Sequence, residues 1–338
     1  MNEWKVYYGN NFWGHKRYAR PGKETAVNRE FLWDGEQFKI LSLYECSEGL
    51  VVDLCKRIDF ETLYAFLKNW KEKDPEKLSD QELEFLEAEN PTSLHLLTEL
   101  TADGELLPNQ GSCSMGWYPC DEEGACDAQA GEFLMHYQLD PNDAWIMVRT
   151  SFAWKSEKKS KPHHLEFLFS QQPVPVPGPR FILDKEFPKT VCFTHPESGK
   201  THTLEIHSRI SRQIPEHTLS HMPKDLRYPR CYEELHYTLS PELEEGSYFI
   251  RSVSSGDQSV PIVSCSESKG ASSISIIGGS HGPTSIFLAG KQSSNEKKTH
   301  LAFSSLFFTS TEVREWTITF MVRKKEDYRL TLDINFLS

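Results

Sequence analysis

At 338 residues, with 38% hydrophobic and 25% charged residues, the chain has room for two hydrophobic cores and is neither disordered nor collagen-like. Lys and Arg number 37 against 49 Asp and Glu, a formal net charge of −12, which argues against duplex nucleic acid or an anionic membrane as the main partner. No apolar run approaches the roughly 20 residues of a membrane span, and residues 1–13 lack the basic start and apolar core of a secretory signal, so a cytoplasmic location is expected.

In chain order, residues 6–8 read as a short strand and residues 12–23 as an aromatic and basic loop. A β-meander follows: residues 26–33, an Asp34-Gly35 hairpin turn, residues 37–46 and residues 50–58. Asp59 is placed to cap a helix over 60–70, in which Phe60, Leu63, Tyr64, Leu67 and Trp70 form one apolar stripe. Ser79 and Glu82 form a capping box for a second, acidic helix that Asn90-Pro91 stops, expected to be largely exposed. Residues 94–100 read as a strand ending in an Asp103-Gly104 turn, and residues 108–124 read as loop. A third helix over 128–139, capped by Asp127, presents Ala130, Phe133, Leu134 and Tyr137 on one face. Residues 145–154 and 164–170 have strand composition.

The proline-rich run 173–179 reads as an extended spacer or a sheet edge and marks a domain boundary, giving domains at 1–172 and 180–338. The second half reads as many short strands: 191–194, 201–208, 232–239, 247–252, 274–277, 285–288, 302–308, 315–322 and 328–334. Trp316, Ile318 and Phe320 alternate with Thr317 and Thr319. The expected fold is therefore α+β and mostly β: an N-terminal meander with about three helices, then an antiparallel β-sandwich.

The candidate chemistry is sparse. The eight cysteines (46, 55, 113, 120, 126, 192, 231 and 265) form no C-x-x-C pair and read as thiols. His217 and His221 have the i, i+4 spacing of two ligands on a helical turn, but no Glu follows His217 and prolines bracket the segment, so a surface loop is the reading. His202 and His207 fall on opposite faces of a strand. Cys113, Cys120 and Cys126 with His136 have spacings that match no common zinc pattern. No metal, cofactor or catalytic grouping is assigned. The dense N-terminal aromatics (Trp4, Tyr7, Tyr8, Phe12, Trp13 and Tyr18) read as core packing, with a ring-lined groove for a peptide or sugar as the alternative.

The signature-like stretch is 273–291. Two apolar arms flank Gly278, Gly279, Ser280, His281, Gly282 and Pro283, and the simplest reading is a hairpin with a glycine-rich turn. The functional reading is a backbone nest for a small anion at Gly278, Gly279, Ser280, His281, Gly282 and Thr284, with His281 as a second donor. The run SIIGGSHGPTSIFLAG resembles the I-G-G-A-D-G-P-T-[AS]-I-[FY] signature of the β subunit of sodium-ion-translocating biotin-dependent decarboxylases. Gly278, Gly279, Gly282, Pro283, Thr284, Ile286 and Phe287 match. That subunit is a polytopic membrane protein with an aspartate where this chain has His281, so the resemblance implies an accessory component of such a system. The runs NREFLWDGEQF, EGLVVDLCKRID, THPESGKTHTLEI and EWTITF resemble a family of uncharacterised soluble bacterial proteins, which implies no activity. The expected function is a non-enzymatic cytoplasmic protein that binds a protein partner, with a metabolite-binding protein and the decarboxylase accessory role as alternatives.

Overall fold

The computed structural model describes residues 4–9, 11–14, 17–71, 73, 78–119, 128–155, 162–184, 186, 188–254, 256–262 and 298–334. The fold is α+β and mostly β, with antiparallel sheets and three helices among these residues. The chain forms two compact units. The first comprises Met1–Glu76, Leu86–Val174 and Arg323–Ser338; the second comprises Lys77–Phe85 and Pro175–Val322.

The elements of the first half are β1 (Lys23–Trp33), β2 (Glu36–Glu45), β3 (Gly49–Ile58), α1 (Phe60–Lys71), α2 (Asp80–Glu89), β4 (Leu96–Ala102), β5 (Glu105–Leu107), β6 (Asn109–Trp117), α3 (Ala128–Tyr137), β7 (Ala144–Ala153) and β8 (His164–Gln171). The second half contains β9 (Val174–Leu183), β10 (Lys189–Thr194), β11 (Thr201–Gln213), β12 (Leu226–Arg227), β13 (Cys231–Ser240), β14 (Tyr248–Ser252), β15 (Val260–Pro261), β16 (His300–Phe303), β17 (Arg314–Val322) and β18 (Tyr328–Asp333).

In the first unit one sheet has the order β1-β2-β3-β7-β6 and a second has the order β18-β8-β4-β5. Their facing residues share one core: Phe31, Ile40, Leu54 and Val148 from the first sheet meet Leu100, Phe167, Phe169 and Leu330 from the second. The meander turns are tight because Asp34 and Gly35 (φ +52° and +77°), like Asp103 and Gly104 (φ +46° and +85°), take the two positive-φ positions of a type I′ hairpin. The far face of the first sheet carries Leu41, Cys55, Met115 and Met147, which α3 covers with Ala130, Phe133 and Leu134. Strand β18, expected with the second domain, pairs with β8 in the first unit, where Leu330 adds to the core.

Asp59 caps α1: its Oδ2 accepts the Thr62 N–H at 2.8 Å, and that bond holds the carboxyl below its ordinary range. The α1 stripe is only partly used, since Leu63 is buried whereas Phe60 and Tyr64 stack on each other in solvent. The capping box of α2 is present: Glu82 Oε2 accepts the Ser79 N–H at 2.9 Å and Ser79 Oγ accepts the Glu82 N–H at 3.3 Å. That helix is less exposed than expected. In the second unit Gln81 is buried and donates to Thr319 Oγ1 at 3.3 Å, and Glu84 pairs with Arg251. Residues 6–8, expected as a strand, contribute a single bridge between Tyr7 and Pro21.

The second unit packs the sheet β10-β11-β13-β16 against the sheet β14-β17-β9. Phe193, Leu204, Ile206, Leu235 and Tyr237 on one side meet Phe181, Ile250, Trp316, Ile318 and Phe320 on the other. The proline-rich run lies mostly within β9, on an outer edge of its sheet, where missing N–H groups leave no ladder bond unmade. Thr317 and Thr319 alternate with the core residues as expected and are also buried, so both faces of β17 are covered. No helix among the described residues is long and apolar enough to cross a membrane.

Glu36 gives the first unit an acid-sensitive tie. Burial alone would raise its carboxyl, but hydrogen bonds from Lys325 and from Lys56 (2.8 Å) hold it below its ordinary value. A lowered carboxyl pKa contributes stability that is present above the unfolded value and lost as pH falls through the folded one. Glu36→Gln is therefore expected to flatten the fall in stability below pH 4.5, read as urea midpoints across an acid series, while remaining less stable than wild type at pH 7.

Candidate functional site

Residues 108–124 were expected as loop, yet Asn109–Trp117 is strand β6. Its sequence, NQGSCSMGW, has low β-propensity and no apolar alternation. Pairing with β7 supplies what propensity lacks: Cys113 lies opposite Arg149, Ser114 opposite Val148 and Met115 opposite Met147. A register shift between Asn109 and Ser112, with Gly111 at positive φ, opens the strand at its start.

The charge pattern of β6 sets it apart from the other sheet edges. Edge strands expose unpaired N–H and C=O groups and are normally blunted by charge, proline or shortness. Strand β1 carries Lys23, Glu24, Arg29 and Glu30; β9 carries Pro175, Pro177 and Pro179. Strands β10, β14 and β18 carry Lys189, Arg251 and Arg329, and β5 and β16 have three and four residues. Strand β6 has nine residues with no charge and no proline, a combination found at no other edge among the described residues.

Beside this edge the two sheets of the first unit splay into a cavity of about 340 Å³. One wall is Ser112, Ser114 and Val148; Ser112 Oγ is tied to Thr150 Oγ1 at 2.8 Å. The opposite wall is the segment that leads from α2 into β4, with Thr92, Ser93, Leu94 and His95. Asn90 organises it: its side chain accepts the Thr92 N–H at 3.0 Å and its carbonyl accepts the Ser93 N–H at 3.0 Å. Ser93 Oγ then donates to Glu87 at 2.5 Å. Asn109 Nδ2 donates to Thr98 O at 3.0 Å, which ties the start of β6 to β4.

His95 is the chemical centre of that wall. It holds φ +37°, a left-handed conformation that costs energy in a non-glycine residue. Its carbonyl accepts the Gln172 N–H at 2.7 Å, which closes the back of the cavity. Its Nε2 is buried with no hydrogen-bond partner among the described residues, a condition native structures normally avoid. The arrangement offers hydroxyls, an imidazole, a carboxamide and an edge backbone, which suits hydrogen-bonded binding. Cys113 does not add a nucleophile: burial first, then Asp53, pushes its thiol up to about 11 despite Arg149, so it stays protonated at neutral pH.

Of the residues singled out in the sequence, Gly278, Gly279, Ser280, His281, Gly282 and Thr284 lie outside the described residues, as do Cys120, Cys126 and Asp127. His217 and His221 sit on an exposed turn, the first within the 3-10 helix Glu216–Leu219. His202 is buried and His207 exposed, on opposite faces of β11. His136 stacks on Trp4 and meets Glu24 at 3.1 Å. No group of three metal-ligating side chains occurs among the described residues. His95, Ser112 and Ser114 belong to no motif that the sequence alone makes visible. The one usable signal was the uncharged run between Pro108 and Tyr118. No known protein family, curated protein or solved structure matches the chain.

Proposed function

We propose that this chain is a non-enzymatic cytoplasmic binding protein that takes an extended segment of a protein partner along the edge of β6 that pairs with no second strand among the described residues. The observation that carries this reading is the nine-residue, uncharged, proline-free edge bordering a cavity of about 340 Å³. Strand addition gives affinity through main-chain hydrogen bonds and specificity through pockets that receive alternate side chains. Here the pocket is the hydroxyl-lined cavity, with Ser112 and Ser114 on one wall and Thr92 and Ser93 on the other. Unbridged thiols at Cys46, Cys55, Cys113, Cys192 and Cys231 support a reducing compartment, and the net charge of −12 speaks against nucleic acid as the partner.

Peptides selected from a random displayed library on the purified full chain provide the probe. Bound peptide is expected to slow amide hydrogen exchange in 109–117. Ser114→Lys, which places a charge on the edge, is expected to weaken binding at least about tenfold. Glu30→Lys on the opposite edge strand β1 is the control and leaves affinity unchanged. Selected peptides that protect other segments, or that bind Ser114→Lys equally well, would overturn the reading.

A further inference from the structure

A second opening, independent of β6, lies on the α3 side of the first sheet. It has a volume of about 180 Å³ and is lined by Lys5, Asn11, Phe12, Trp13, Gln129 and Arg149, with Tyr7 and Gly14 at its edge. Its floor is held by a chain of hydrogen bonds. Arg149 gives two hydrogen bonds of 2.7 Å to Asp53, from Nε and from one terminal nitrogen. Tyr137 donates to the same carboxylate at 2.7 Å. Because the Tyr137 proton points at Asp53, Tyr44 must donate across the 2.5 Å contact to Tyr137, and Trp4 Nε1 donates to Tyr44 at 3.1 Å. One ordered line of donors thus runs from Trp4 to Asp53. Over it the Arg149 guanidinium lies 4.6 Å from the centroid of the Phe12 ring, which meets Phe133 edge-on at 5.8 Å.

Above this floor the chain turns outward. Asn11 Oδ1 accepts the Gly14 N–H at 2.8 Å, a turn that leaves Trp13 54% exposed beside the opening. An exposed indole, two carboxamides and two cationic side chains meet here, and no carboxylate lines the opening among the described residues. The chain as a whole carries 49 carboxylate side chains, so this composition runs against the background. We propose that the opening is a saccharide site. The C–H face of one pyranose ring packs on Trp13, and its hydroxyls take hydrogen bonds from Asn11, Gln129 and Lys5. Aromatic faces supply apolar area with a fixed orientation, and the small set of polar groups sets which sugar fits. The ordered floor keeps Phe12 and Arg149 in place before the ligand arrives, which lowers the entropy lost on binding.

The test titrates the full chain with glucose, galactose, N-acetylglucosamine and glucuronate in the millimolar range, followed by tryptophan fluorescence and by calorimetry. At least one sugar is expected to give a saturable response. Trp13→Ala is expected to abolish it and Trp13→Tyr, which keeps a ring, to retain it. Gln129→Ala is expected to weaken binding at least about tenfold, with thermal midpoints unchanged in all three. No saturable response to any of the four sugars, or equal affinity in Trp13→Ala and wild type, would overturn the proposal.

Discussion

Replacing Arg149 with alanine is expected to destabilise the first unit by about 3–5 kcal/mol. Arg149 and Asp53 lie directly opposite on the central strands β7 and β3, with side chains 4% and 0% exposed. Each charge has been taken out of water, and the pair is tolerable because the guanidinium and carboxylate meet through two short hydrogen bonds. Alanine leaves the carboxylate buried with the Tyr137 hydroxyl as its remaining side-chain donor among the described residues, and the full desolvation penalty returns. Urea denaturation followed by far-ultraviolet circular dichroism measures the loss. The double variant Asp53→Leu with Arg149→Met removes both charges and is expected to recover most of it, since apolar replacement of a buried pair is often neutral. A loss below about 1 kcal/mol in the single variant would mean that water reaches the pair.

In the second unit the largest expected effect is at Trp316. It is 0% exposed, lies on β17 opposite Ser252 of β14, and belongs to the core the two sheets share. Trp316→Ala is expected to cost about 3–5 kcal/mol, through lost apolar burial and the cavity that incomplete relaxation leaves. The indole Nε1 has no hydrogen-bond partner among the described residues. Trp316→Phe therefore removes an unsatisfied donor along with part of the ring, and its cost is expected to be less than half that of alanine. Equal losses in the two variants would show that the donor is satisfied in solution. The same denaturation experiment, read on the second unit's transition, decides it.

The two candidate sites differ in how they use the first sheet. On the β4 side its edge is open and hydroxyl-lined, which suits reversible hydrogen bonding. On the α3 side an ordered ion network holds aromatic rings in place. One sheet can carry both because successive side chains of a strand point to opposite faces: Ser112 and Ser114 to one, Cys113 and Met115 to the other.

Local chemistry determined much of this protein from sequence alone. The meander, the Asp34-Gly35 and Asp103-Gly104 turns, the Asp59 cap, the Ser79/Glu82 box, the buried face of α3 and the alternation of β17 each follow from a few neighbouring residues. Such signals are short-range, and the positive-φ turn, the capped amide and the apolar stripe are written in adjacent positions. Tertiary structure decided the rest. Strand β6 exists because β7 offers it a ladder, although its own composition reads as loop. Asp53 and Arg149, 96 positions apart, become a pair only when β3 and β7 align in register. His95 holds its strained backbone where its carbonyl accepts the N–H of Gln172, just past β8, and β18 leaves the second half of the chain to join the first unit. These features depend on contacts between distant strands, and no local pattern encodes a register until the partner strand is present.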